Sequence, residues 1–212
     1  MALKFWSNAN IDIQTALAAA KTITAITKAN PAVVTSTAHG YANGTYVKLL
    51  IIGMFELNEV VVRVANQAAN TFEAEGVDST SFSTFVSGTA EAITFGVSMS
   101  TAQGVTASGG EPEFADITTI HDNVRKRAPT VVSPMSVSID SFFDPSNAAL
   151  AELAIATRSK TQRAIQIRFA DATRMVGSAY CSAAGVPTGQ AQDVVKTPVS
   201  LEFQGLPTVY AT

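Results

Sequence analysis

The sequence predicts a mainly β protein, an antiparallel β-sandwich or barrel with one flanking α-helix and a small all-β insertion domain. Three observations carry this reading. Apolar residues alternate with Ser, Thr, Gln and Glu along most of the chain, the period-two mark of half-buried strands. A single stretch, DPSNAALAELAIATRS over 144–159, has the composition and spacing of a helix. Turn dipeptides such as Asn43-Gly44 separate short apolar runs, and no strand–helix–strand unit repeats.

Taken in order, NIDIQTAL places Ile11, Ile13, Thr15 and Leu17 on one side of a first strand entered from an N-terminal arm. Residues 23–90 separate as a compact all-β unit with strands AVVTST, TYVKLLII, EVVVRVA and NTFEAEG. His39-Gly40, Asn43-Gly44, Gly53-Met54 and the stretch 66–70 supply its turns, and VDSTSFSTFVSG closes it with a Ser/Thr-rich loop. The main pattern resumes at Glu91, where EAITFGVSMS puts Ile93, Phe95, Val97 and Met99 on one face. TASGGEPEF turns a corner. FADITTIHDNVRKRAP has no period, which predicts a long loop or extended arm over 109–129.

In the remaining strands Val137, Ile139, Ile165, Ile167, Phe169, Val199, Leu201 and Phe203 share one side. Ser136, Ser138, Gln166, Arg168, Ser200, Glu202 and Gln204 share the other, as in a sheet buried on one face only. The helix between them is expected to be capped by Asp144, with Pro145 at its first position and Leu150, Leu153, Ala154 and Thr157 as its apolar face. The domains are therefore 1–22 with 91–212, and 23–90.

Composition narrows the function. Charged residues make up 15% of the chain, against about 25% in ordinary soluble domains. Either Thr, Ser, Asn and Gln cover the surface, or much of the surface is buried against other copies of the chain. A net charge of −3 argues against sequence-independent nucleic-acid binding, which needs a basic face. One cysteine excludes an internal disulfide framework and a Cys-based zinc site. The apolar run LLIIGMF is too short to span a bilayer, so no membrane partner is expected, and the start has no signal-peptide core. These features point to a chain kept reduced in a cytoplasm.

No catalytic constellation stands out. Cys181 falls on the apolar side of its strand beside Met175 and Ala179, the usual place of a small core residue, and His121-Asp122 has no local tie to it. The two histidines lack metal-ligand spacing, and ASGGEP lacks the Lys and hydroxyl of a phosphate loop. No enzyme activity, metal or cofactor is expected. The arm is different. It concentrates Glu111, Glu113 and Asp116 in one half and Arg125, Lys126 and Arg127 in the other, which suggests electrostatic pairing between neighbouring subunits.

The block from SVSIDSFFDPSNAALAELA through VVKTPVSLEFQG resembles the major tail tube protein of long-tailed, siphovirus-type bacteriophages. The order carries the likeness: strand, Asp/Pro-capped helix, strand, acidic turn, glycine-bearing strand, Gly/Thr loop, final strand. GGEPEFADITTIHDNVRKRAP resembles the family's long loop, which reaches toward adjacent subunits and rings. ITKANPAVVTSTAHGYANG, GMFELNEVVVRV and NTFEAEGVDSTSFSTFVSG are similar to the first catalytic-cysteine half-domain of ubiquitin-activating enzymes, here without a cysteine, which implies structure and no ubiquitin chemistry. The tail tube resemblance implies hexameric rings stacked into a hollow tube through which DNA is ejected without specific binding. Its partners would be further copies of the chain and the tape measure, terminator and distal tail proteins. It also implies a place in the virion tail after assembly in the host cytoplasm. A tail terminator or other head-to-tail ring protein, or a virion surface adhesion module, are the alternatives.

Overall fold

In the computed structural model strands account for 48% of the protein and helix for 7%. Residues 6–183 and 186–211 are described, so the beginning of the expected N-terminal arm, 1–5, lies outside the described residues. The first half contains β1 (Asn10–Leu17), β2 (Lys21–Ile23), β3 (Ala25–Ile26), β4 (Ala32–Thr35), β5 (Tyr46–Ile52), β6 (Val61–Ala65), β7 (Thr71–Ala74) and the long β8 (Ser87–Ser98). The second half contains β9 (Ala102–Ser108), β10 (Pro112–Asp116), β11 (Arg127–Val132), β12 (Met135–Ser141), α1 (Ala148–Ser159), β13 (Gln162–Arg168), β14 (Arg174–Ala183), β15 (Val199–Phe203) and β16 (Thr208–Tyr210).

Among the described residues one antiparallel sheet runs β3-β4-β7-β6-β5-β8-β1-β13-β14-β15-β12-β9, with β16 beside β14 and β2 beside β8. It curls into a half-barrel. β8 is the seam. Its first half pairs with β5 (Leu49 with Ala90, Ile51 with Gly88) and its second half with β1 (Ile13 with Val97, Leu17 with Ile93). The stretch 23–90 and the rest of the chain therefore share a strand while keeping cores of their own.

Three cores follow from the alternation. Ile11, Ile13, Val137, Ile139, Ile165, Ile167, Leu201 and Phe203 form the first, on the face that α1 covers with Leu153. Val34, Val47, Leu49, Ile51, Val62, Val64 and Phe72 form the second, inside 23–90. His39 belongs there too. It is buried, accepts a 3.0 Å bond from the Tyr41 amide at Nδ1 and packs against Tyr41 and Phe72, so it is core as well as turn entrance. Tyr46, Val61, Ile93, Ala164, Val176 and Tyr210 form the third, in the hollow of the curl, where strands distant in sheet order meet.

The helix is shorter than the sequence suggests. Asn147, not Asp144, caps it: Asn147 Oδ1 accepts from the Ala149 and Leu150 amides at 2.9 and 3.2 Å. Asp144 instead accepts from the Ser146 amide and hydroxyl, closing a local turn that contains Pro145. Tertiary contact chooses between the two caps, because Asn147 is buried and its Nδ2 donates to Ser100. The buried stripe is accordingly Ala149, Leu153 and Ala156, with Leu150, Ala154 and Thr157 half-buried along its edge. The Thr157 hydroxyl ties α1 to β14, donating to the Leu153 and Cys181 carbonyls and accepting from the Ala183 amide.

The polar face also departs from simple alternation. Gln166, expected outside, is buried together with Asp12, Gln14 and Ser178, because the curl brings β5 and β16 over that part of the sheet. Asp12 is held there by the Arg168 guanidinium and the Ser98 hydroxyl. Only the β14–β15–β12–β9 end of this face stays open.

Candidate assembly interface

Two exposed features stand out, and they meet at Gly109, where β9 gives way to β10. The first is the segment expected to be an unstructured arm. It is a hairpin: β10 and β11 pair antiparallel, with Pro112 opposite Val132, Ala115 opposite Ala128 and Asp116 opposite Arg127. The turn is fixed locally. The Ile117 amide donates to the Lys126 carbonyl at 3.0 Å, and the Lys126 amide to the Thr118 hydroxyl at 3.0 Å. Nearly every side chain in it is exposed, so no one-sided burial leaves a period-two trace in the sequence. Backbone pairing alone makes the strands.

The hairpin prolongs β9 and β12, which pair with each other below it. Gly109 and Gly110 redirect the chain at its foot with φ of +82° and +78°. A Cβ on Gly109 would stand 2.1 Å from the Pro134 carbonyl oxygen, so only glycine fits.

The six charged residues singled out by sequence all lie exposed on this hairpin. Glu111 and Glu113 are near its foot, and Asp116 and Arg127 face each other as register partners. Lys126 is ion-paired with Asp122, a residue the sequence reading did not include. Asp116 is held below its ordinary pKa chiefly by the Thr118 hydroxyl and amide. Asp122 is lowered too, chiefly by Lys126 and then by Thr119. Arg125 and Arg127 make no ion pair among the described residues. Sequence reasoning also passed over the apolar side chains here. Phe114, Ile117, Ile120, Val124 and Val131 all face solvent, and Ile120 is 97% exposed. Phe114, Ile117, Ile120 and Val124 within the unpatterned, charged FADITTIHDNVRKRAP are the signal the sequence offers. Exposed apolar side chains at this density mark a contact surface.

The second feature is the open polar end of the sheet, opposite α1. Register places Ser108, Ser136, Glu202 and Tyr180 in one row and Thr106, Ser138, Ser200 and Ser182 in the next, with Asp140 beyond. Ser136 donates to Glu202 at 2.8 Å. These rows carry hydroxyls and two carboxylates and no Lys or Arg. Asp140 is in phase with Ser136 and Ser138 in MSVSID, which places it on the same face. β9 forms the outer edge of this surface, its far side unpaired among the described residues of the single chain.

Cys181 is core, as its strand position suggests: it is buried on the helix-facing side, and burial pushes its thiol up to about 11 despite the opposing pull of Arg163. Among the described residues no group of three His, Cys, Asp or Glu side chains is arranged to hold a metal. No helix among the described residues is long and apolar enough to cross a membrane.

A family model described as phage tail tube protein matches residues 53–212, about three quarters of the chain. The chain belongs to the phage tail tube proteins. The match begins inside the stretch 23–90 and runs through β8, the hairpin, α1 and the final strands. No match was found among curated proteins. Membership makes the chain a structural, non-enzymatic component of the virion tail that assembles into a tube with other tail proteins. The two exposed features are then the places to seek the contacts and the channel surface of a tail tube protein.

Proposed function

We propose that the subunit forms hexameric rings that stack into a hollow tail tube of a siphovirus-type phage, and that DNA leaves through its bore. The observation that carries this reading is the open polar end of the sheet. Rows of hydroxyls with Asp140 and Glu202 and no cation suit a surface past which a polyanion must slide, since lysines or arginines there would hold phosphates through counterion release. In this reading α1 faces away from the bore, and the free edge of β9 pairs with a strand of the next subunit, which removes the exposed edge. The hairpin bridges neighbouring subunits through Glu111, Glu113, Asp116, Arg125, Lys126 and Arg127. Residues 23–90 sit as an outer module on the tube wall, and their likeness to the ubiquitin-activating half-domain implies a scaffold only. Assembly takes place in the host cytoplasm, and the tube ends meet tape measure, terminator and distal tail proteins.

Negative-stain electron microscopy of the purified protein tests this reading. Tubes with a stain-filled bore are expected. Isolated single rings would favour a terminator-like protein instead, and persistent monomers would favour an adhesion module.

A further inference from the structure

A groove of about 500 Å³ lies between the outer module and the tube sheet, lined by Phe55–Val61, by residues 76–78 and Phe82, and by residues around Gly177 and Leu206. It carries three carboxylates, Glu56, Glu59 and Asp78, and no Lys or Arg lines it. Neutral donors orient each one. Glu56 Oε1 accepts from the Ser83 amide and hydroxyl at 2.9 and 3.0 Å, and Glu59 Oε2 from the Gln162 amide group at 2.8 Å. Asp78 accepts from Thr80 and Asn30. Lys28 and Lys48 act on Glu56 and Glu59 from outside the lining, and Lys48 already donates to Gln162 at 2.7 Å. Glu56 Oε2 is buried with no hydrogen-bond partner among the described residues. The carboxylates are fixed in place by these donors, with Lys28 near Glu56 and Lys48 near Glu59 outside the lining. Around them the lining mixes apolar side chains with Asn58, Ser178, Gln204 and Thr208, and Phe55 is 70% and Leu206 60% exposed.

The hairpin tip has the complementary make-up. Among the described residues Arg125 and Arg127 make no ion pair while Lys126 pairs with Asp122, and Ile117, Ile120 and Val124 of the same tip are exposed. The arm's own carboxylates are poor partners for that tip in a neighbour. Asp116 and Asp122 are engaged locally, and Glu111 and Glu113 sit at the foot, away from the cations.

We propose that the hairpin tip of one subunit docks in this groove on a second copy of the chain. This rests on the tube reading. The groove runs on past Glu59 and Leu206 to Val132, Ser133 and Pro134, the foot of the arm. Copies displaced along the arm by about its own length therefore bring the tip of one to the groove of the next. A strand rises about 3.3 Å per residue, so the arm from Gly110 to Asp116, the end of β10, spans roughly 20 Å before its turn. Arginines and exposed aliphatic side chains entering a carboxylate-bearing groove supply both charge complementarity and apolar burial.

Charge exchange tests the pairing. Arg125→Glu with Arg127→Glu, and separately Glu59→Lys with Asp78→Lys, should each lower the rate of tube formation at low salt by at least tenfold. The four substitutions together should restore it to within about threefold of the native rate. A second measurement covers misfolding of the groove variant: Ile120→Cys with Leu206→Cys should give inter-subunit disulfides when assembled tubes are oxidised. Native-rate assembly by the groove variant, no rescue in the fourfold variant with a native melting profile, or no inter-subunit disulfide in tubes would each overturn the docking while leaving the tube intact. Homopolymers that form normally yet fail only with another tail protein present would assign the groove to that partner instead. Absence of tubes from the native chain would overturn both.

Discussion

Leu153→Ala probes the packing of α1 most directly. Leu153 is 1% exposed at the centre of the helix stripe, against the first core of Ile13, Ile139, Ile165 and Leu201. Ala149 and Ala156 flank it on the same face and have no side-chain length to move into the space it leaves. Truncation removes the transfer free energy of three carbons and leaves a cavity that neighbouring strands cannot close, about 3 kcal/mol in all. For a chain of this size each kcal/mol shifts the melting temperature by about 2–4 °C, so the expected fall is roughly 6–12 °C. Ile155, on the opposite side of the same helix, is 50% exposed, and Ile155→Ala should cost under about 1 kcal/mol. Differential scanning calorimetry of both soluble monomers makes the comparison, because helix propensity favours Ala in both and cannot separate them. Equal losses, or a Leu153→Ala shift below about 2 °C, would refute the assignment of the buried stripe.

The other expectations concern the arm and the single thiol. Gly109→Ala should leave the monomer folded but misdirect the hairpin, through the contact with the Pro134 carbonyl and the left-handed φ, so tube formation should fall while the core melting temperature changes little. Assembly should slow between 0.05 and about 1 M salt, since screening shortens from about 10 Å at 0.1 M to about 3 Å at 1 M, and light scattering gives the rate. Asp116 and Asp122 have folded pKa values below the ordinary 3.8, so their contribution to the hairpin turn is complete at pH 7 and is lost only as pH falls below that value. Amide resonances of Thr118 and Thr119 followed by NMR should hold from pH 7 to 5 and shift only below about 4. With its thiol near 11, Cys181 should react with maleimide at pH 7 only as fast as the chain opens, and should react promptly in denaturant.

Elements with one buried face were legible. β12 and β15 alternate because each has a core on one side, and Val137, Ile139, Leu201 and Phe203 were placed correctly from period alone. Three features were hidden, each for a physical reason. The hairpin has no buried face, so backbone pairing builds β10 and β11 without leaving a pattern. The helix start depended on a choice between two good caps, Asp144 and Asn147, that only the contact with Ser100 decides. The curl of the sheet buries Gln166, Gln14 and Asp12 on a face whose residue types read as exposed, and nothing local announces that β5 and β16 return to cover it. Of the interface, the clustering of charge in the arm was visible. Its division into engaged Lys126 and unpaired Arg125 and Arg127, and the groove carrying Glu56, Glu59 and Asp78, required the third dimension.

The central claim is that the hydroxyl-and-carboxylate face of the sheet, and not the helix, lines a DNA channel. Helical reconstruction of assembled tubes by cryo-electron microscopy decides it. The account predicts a continuous β-barrel wall with Ser138, Asp140 and Glu202 facing the bore, α1 on the far side of the sheet and residues 23–90 on the outside. A bore lined by α1, or by the cationic tip of the arm with Arg125 and Arg127, would contradict it.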